Sequence, residues 1–254
     1  MALRSLRTLT LHSLNAPPFI ARLCMPKVEV LGLQGIDLPD SNYLPYLPSL
    51  HTLRTAMGSL NPNVLSQRKF PTLRTLKTFN TDIISSEAHI GDKPGLATLE
   101  NVDYLCCAKY INVTSLANSG LLNNVQTLIL ATAVHILDEK LGEWVFPELL
   151  VNLTIVSVPQ WLRGGVTIES GASPYDPRFD ELTIFKILRR CLELNSRRAV
   201  GIVSLKELKI DVTTNYPDFS LGRKRIQEEA DGLFTYCSSR QVNLIFICRS
   251  WGSE

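Results

Sequence analysis

The sequence predicts an α/β solenoid: a parallel sheet of about nine strands joined by irregular helices and loops on its convex side. Three observations predict it. A short phrase recurs eight times, with an apolar residue at its first and fourth places and usually another beyond: Leu6/Leu9/Leu11, Val28/Leu31/Leu33, Leu50/Leu53, Leu73/Leu76, Leu99/Val102/Tyr104, Val125/Leu128/Leu130, Leu150/Leu153/Ile155 and Leu205/Leu208/Ile210. The first residues of successive phrases lie 22, 22, 23, 26, 26, 25 and 55 positions apart. Within the phrase, apolar and polar residues alternate, as in Thr8-Leu9-Thr10-Leu11-His12 and Glu207-Leu208-Lys209-Ile210-Asp211. Period-two alternation marks a strand with one buried face.

Each strand follows from that pattern, and the residues between phrases set the connection. Parallel neighbours need a crossover of about a dozen residues or more, and roughly 16 remain per repeat. Successive strands then stack at about 4.8 Å with their apolar faces on one core, which a single repeat cannot close by itself.

Six of the seven spacings fall within the window of leucine-rich repeats. The phrase, preceded by Met25-Pro26-Lys27-Val28, Leu47-Pro48-Ser49-Leu50 or Phe70-Pro71-Thr72-Leu73, resembles the irregular leucine-rich repeats of fungal F-box-type proteins. Cys237-Ser238-Ser239-Arg240-Gln241-Val242-Asn243-Leu244-Ile245-Phe246 is similar to the closing helix and strand of that family, so the resemblance covers residues 3–247. Two features depart from it: Leu14 stands where an Asn or Cys usually follows the first strand, and the spacing of 55 breaks the period.

The connections are read more coarsely. Pro17 to Leu23, Asn61 to Arg68 and Asp138 to Trp144 are short helical candidates. Residues 156–204 form an irregular repeat, with an extended loop from Pro159 to Pro177 and then a helix opened by Asp176-Pro177. Asp180 and Glu181 sit in its first turn and Arg197-Arg198 at its far end, as the helix dipole favours. Its apolar positions Leu182, Ile184, Phe185, Ile187, Leu188, Cys191, Leu192 and Leu194 make an arc wide enough for deep burial. A second helix after Ser220 carries Ile226, Ala230, Leu233 and Cys237 on one stripe, and Val242 to Ile247 closes the sheet within residues 220–247. The whole of 1–254 reads as a single repeat domain. It begins a repeat strand at once, at Leu3, with no cap and no F-box, so the sequence is expected to be the C-terminal portion of a larger protein or a gene model begun at an internal methionine.

Composition narrows the function. The chain is 45% hydrophobic and 20% charged with a net charge of +2, a globular balance. The sign alternates along it: residues 1–80, 81–177 and 178–254 carry net +6, −7 and +3. A nucleic-acid partner is not expected from that alternation. The six cysteines form no Cys-x-x-Cys pair, so neither metal nor a disulfide framework is expected, and no apolar run approaches a membrane span. The sequons at Asn112 and Asn152 are not accompanied by a signal peptide. Arg4, Arg7, Arg22 and Lys27 precede the first acidic residue, Glu29, as in a mitochondrial presequence. Leu6, Leu9 and Leu11 account for that stretch as a repeat strand, which makes a cytoplasmic or nuclear location the first expectation and a mitochondrial one the second.

No catalytic motif, phosphate loop or cofactor fingerprint is present, and the four histidines are isolated in sequence. Cys106-Cys107 reads as strand-end packing and Gly164-Gly165 as a loop hinge. Arg189-Arg190, Arg197-Arg198 and Arg223-Lys224-Arg225 read as solvated, salt-bridged faces. The candidate functional residues are the outward places of the strands: Thr8, Thr10, His12, Gln34, Thr52, Arg54, Thr75, Lys77, Asn101, Asp103, Thr127, Glu207, Lys209 and Asp211. Short side chains of mixed sign on a rigid sheet suit recognition of a protein ligand, without catalysis or cofactor. The resemblance implies substrate binding in a cullin-type ubiquitin ligase, whose adaptor would bind only through an F-box upstream. The competing expectation is a mitochondrial protein or an enzyme whose site the motifs miss.

Overall fold

In the computed structural model, the residues described are 4–12, 24–38, 44–83, 97–106, 120–132, 146–157, 182–197, 204–214 and 230–250. They contain the strands β1 (Thr8–His12), β2 (Val30–Gln34), β3 (Thr52–Ala56), β4 (Ser59–Leu60), β5 (Thr75–Phe79), β6 (Asp82–Ile83), β7 (Asn101–Cys106), β8 (Thr127–Thr132), β9 (Asn152–Ser157), β10 (Glu207–Thr214) and β11 (Asn243–Ser250). Nine of them form one sheet in the order β1-β2-β3-β5-β7-β8-β9-β10-β11. Sheet order therefore follows chain order, as the spacing predicts, and the paired strands run parallel. Each strand of the eight phrases begins two residues after its phrase's first residue. The chain divides into two compact units, Met1–Cys106 with Thr114–Leu128 and Cys107–Val113 with Ile129–Glu254.

In the first unit the phrase builds the core through two columns. Val28, Leu50, Leu73, Leu99 and Val125 are buried ahead of the strands, and Leu31, Leu53, Leu76, Val102 and Leu128 are buried within them. Each such leucine contributes about 2 kcal/mol of transfer free energy. Leu9 and Leu11 of β1 are only half-buried.

The segments 25–28, 47–50 and 70–73, each with proline second, are β-turns that deliver the chain into the strand. The amides of Val28, Leu50 and Leu73 donate to the carbonyls of Met25, Leu47 and Phe70, three residues back. Proline at the second place pre-sets φ for such a turn. The residue after it staples neighbouring repeats: the Ser49 hydroxyl donates to the Pro26 carbonyl at 2.8 Å, and the Thr72 hydroxyl to the Pro48 carbonyl at 2.8 Å.

Strands end at left-handed corners. Gly35, Met57 and Asn80 occupy the same place after β2, β3 and β5, with φ of 65°, 55° and 46°. The corner turns the chain into a second short parallel sheet of β4 and β6, with Leu38 bridging to Leu60. Gly58 follows the corner, and a Cβ there would lie 2.3 Å from the Ile36 carbonyl oxygen, so no other residue fits without moving backbone.

Beneath β3, β5 and β7 the core is partly polar. Thr55 and Thr78, both 4% exposed, stand inward at the sixth place of their phrases, where other repeats carry Leu33 and Tyr104. Thr55 Oγ1 lies 3.2 Å from Thr81 Oγ1, which is also 3.2 Å from the Phe79 carbonyl; the Tyr104 hydroxyl donates to the Thr81 carbonyl at 3.2 Å. These bonds offset the desolvation of the hydroxyls.

In the second unit, Leu150, Leu153, Ile155, Leu205, Leu208 and Ile210 repeat the same columns. Ser204 repeats the staple, its hydroxyl donating to the Glu148 carbonyl at 2.9 Å. The helix Leu182–Arg197 buries Phe185, Leu188, Cys191 and Leu192, and the Phe185 ring packs tilted against Phe246 at 5.5 Å between centroids. Helical residues 230–239 bury Leu233 and Cys237.

One helical expectation is corrected. Asn61 to Arg68 holds a single 3-10 turn, Pro62–Val64, capped by the Asn61 side chain accepting from the Asn63 amide at 3.0 Å. The backbone leaves helical geometry at Leu65, and the Ser66 carbonyl then accepts from the amides of Lys69 and Phe70 in a separate turn. The candidate helices at Pro17–Leu23 and Asp138–Trp144, the loop from Pro159 to Pro177, the Asp176-Pro177 helix start and the Arg223-Lys224-Arg225 cluster lie outside the described residues.

Candidate functional site

Strand register, read from backbone pairing, arranges the outward residues of the first unit in rows. One row runs Thr8, Val30, Thr52, Thr75, Asn101. The amide of Thr127 donates to the Glu100 carbonyl as that of Asn101 does to the Arg74 carbonyl, which extends this row to Thr127. The next row runs Thr10, Gly32, Arg54, Lys77, Asp103, and a third runs His12, Gln34, Ala56, Phe79. Thr8, Thr10, His12, Arg54, Lys77 and Asn101 are exposed, and Gln34, Thr52, Thr75, Asp103 and Thr127 half-buried. Every predicted outward residue of this unit thus lies on one sheet face, within reach of its row neighbours.

Charge on and beside this face is matched across strands, with one departure. Arg7 bonds to Glu29, and Arg74 Nε lies 3.2 Å from Glu100 Oε1, in a column just ahead of the strands. Lys77 Nζ lies 3.8 Å from Asp103 Oδ2. At such exposure each pair contributes no more than about 1 kcal/mol. Arg54 stands directly opposite Lys77, and it makes no ion pair with any of the described residues.

In the second unit Glu207 pairs in register with Asn152 and Asn243, Lys209 with Thr154 and Ile245, and Asp211 with Val156 and Ile247. Glu207 and Lys209 are half-buried. Asp211 corrects the expectation of an outward, accessible carboxylate: it keeps the outward parity but is 8% exposed. Its register neighbours on both sides, Val156 and Ile247, are branched apolar residues, whereas Glu207 has Asn on both sides and Lys209 has Thr on one.

The remaining candidates are dispersed. His12 and His51 are exposed on or beside the first unit's sheet. Cys24 is exposed, while Cys191 and Cys237 are buried free thiols. Burial pushes the Cys237 thiol up from 9.0 to about 11, which keeps it protonated. Arg189 pairs with Glu193 at 2.9 Å on the exposed side of the long helix, as a solvated face does. Among the described residues no group of three His, Cys, Asp or Glu could hold a metal ion, and no helix is long and apolar enough to cross a membrane.

The cross-strand arrangement escapes a sequence reading for a definite reason. Alternation assigns each residue to a face, but only register shows that Arg54 meets Lys77 and Gly32. Comparison with models of known families, with curated proteins and with solved structures finds no match to this chain.

Proposed function

We propose that the chain is a non-enzymatic protein-recognition module whose binding surface is the outward sheet face of Thr8, Thr10, Arg54, Lys77 and Asn101. The observation that carries it is the register: five neighbouring strands set their outward side chains, most of them polar, in rows on a backbone that buried leucines hold rigid. Such a platform needs little ordering on binding, which favours association. The charged residues of the face are spread along a row, one per strand, and do not converge on a single reacting point as acid–base chemistry requires. Carried further by the sequence resemblance to F-box-type leucine-rich-repeat proteins, the module would bind the substrate of a ubiquitin ligase, with the adaptor bound by an F-box ahead of it.

Proximity labelling with the full reading frame tests this reading. The double variant Thr10→Arg/Asn101→Arg places two long cations at exposed positions without touching the core. The expected result is a folded protein that loses the specifically labelled partners. An unchanged labelling pattern would contradict the reading.

A further inference from the structure

We infer that Arg54 and Lys77 form the anchor point of the face, and that they receive a carboxylate from an acidic, extended protein segment. The inference rests on the reading of this face as a protein-binding surface.

Two cations directly opposite each other on parallel strands repel, and such pairs destabilise a sheet. Elsewhere beside this sheet a cation meets an acid on the neighbouring strand: Arg7 with Glu29, Arg74 with Glu100, Lys77 with Asp103. Arg54 alone among these is left without a counter-ion among the described residues, because Asp103 lies on the far side of Lys77. On its other side stands Gly32, where a Cβ would come within 3.0 Å of the Thr10 hydroxyl. The Thr10 side chain covers the buried Gly32, so Arg54 has no charged neighbour on that side either.

A fold keeps such a repulsion where an outside anion relieves it. A carboxylate bridging Arg54 and Lys77 would meet the planar donor fork of the one and the ammonium of the other. The adjoining outward row, two residues along the strands, is apolar, with Ala56 and half-buried Phe79. Acidic residues at alternate places of an extended segment, which all face one side, match this pair. A nucleic acid matches less well, since Asp103 would face its phosphates.

The test uses the intact chain and a fluorescein-labelled (Glu-Val)₃ peptide, with (Gln-Val)₃ and an oligo-deoxythymidylate as comparison probes, read by anisotropy. The wild type is expected to bind (Glu-Val)₃ and not the other two. Arg54→Gln is expected to weaken that binding about tenfold and, by removing the repulsion, to raise Tm by about 1–3 °C. Arg68→Gln, in a turn off the face, is expected to change neither. Absence of (Glu-Val)₃ binding, binding indifferent to Arg54→Gln, a fall in Tm, or preferential binding of the oligonucleotide would each overturn the proposal. If Thr10→Arg/Asn101→Arg abolishes partner labelling while Arg54→Gln does not, this inference fails and the protein-recognition reading stands; if neither does, both fail.

Discussion

Gly58 and Met57 are adjacent residues under opposite demands. Gly58 has no room for a side chain, because the Ile36 carbonyl carbon and oxygen would both lie within 3.0 Å of a Cβ. Gly58→Ala should therefore cost at least about 2 kcal/mol, seen as a lower urea midpoint with unchanged slope. Met57 holds φ at 55° while its side chain is 58% exposed, so it has conformational strain and little packing to lose. Met57→Gly should gain about 1 kcal/mol in the same measurement. Neither demand is legible locally: nothing in Ala56-Met57-Gly58-Ser59 distinguishes the residue that must turn left-handed from the one that must be small. The buried threonines are a similar case. Alternation points Thr55 and Thr78 inward, but their polarity excluded them from an apolar phrase; their tolerance comes from partners distant in sequence, the Thr81 hydroxyl for Thr55 and the Asp103 carbonyl for Thr78.

At the scale of the element, the turns ahead of β2, β3 and β5 come from a motif the sequence displays, although alternation alone assigns it no turn. Phe-Pro-x-Leu and Leu-Pro-x-Leu carry both the proline that sets the turn and the hydroxyl that staples it to the previous repeat. Thr72 donates to the Pro48 carbonyl and lies 3.0 Å from that of Leu50, so Thr72→Val should cost about 1 kcal/mol despite its similar shape. Hydrogen exchange should show the loss first in the Arg74 and Thr75 amides, which hang on the His51 carbonyl across the same junction. The long helix was legible as an amphipathic stripe, and Phe185, Leu188 and Leu192 are buried as the spacing requires. The stretch from Asn61 to Arg68 was not, because proline and a short apolar pair serve a 3-10 turn as readily as a helix start.

For the whole molecule, the nine strands of the main sheet and their order follow from the eight phrases and the closing strand, since parallel strands joined by similar connections have one simple way to stack, whereas the small sheet of β4 and β6 has no such signal. The functional face was legible as parity and illegible as chemistry. Asp211 has the right parity and is buried; Arg54 has the same parity and stands exposed beside a like charge. The buried Cys237 gives a further check on the packed second unit. Its folded pKa lies above its ordinary value, so the folded chain retains a proton that the unfolded chain releases above pH 9. The stability linked to this thiol is full below pH 9 and declines as the pH rises toward 11. Tm should therefore fall more steeply between pH 9 and 11 in the wild type than in Cys237→Ala.

The face assignment itself is tested most directly by thermal melting of two variants one residue apart. Leu76→Asp sets an unpaired charge in the core, whereas Lys77→Asp changes the exposed face and offers Arg54 a partner in place of the bond to Asp103. The account predicts that Leu76→Asp abolishes the cooperative transition and that Lys77→Asp melts within about 2 °C of the wild type, roughly half a kcal/mol. Equal loss in both would contradict it.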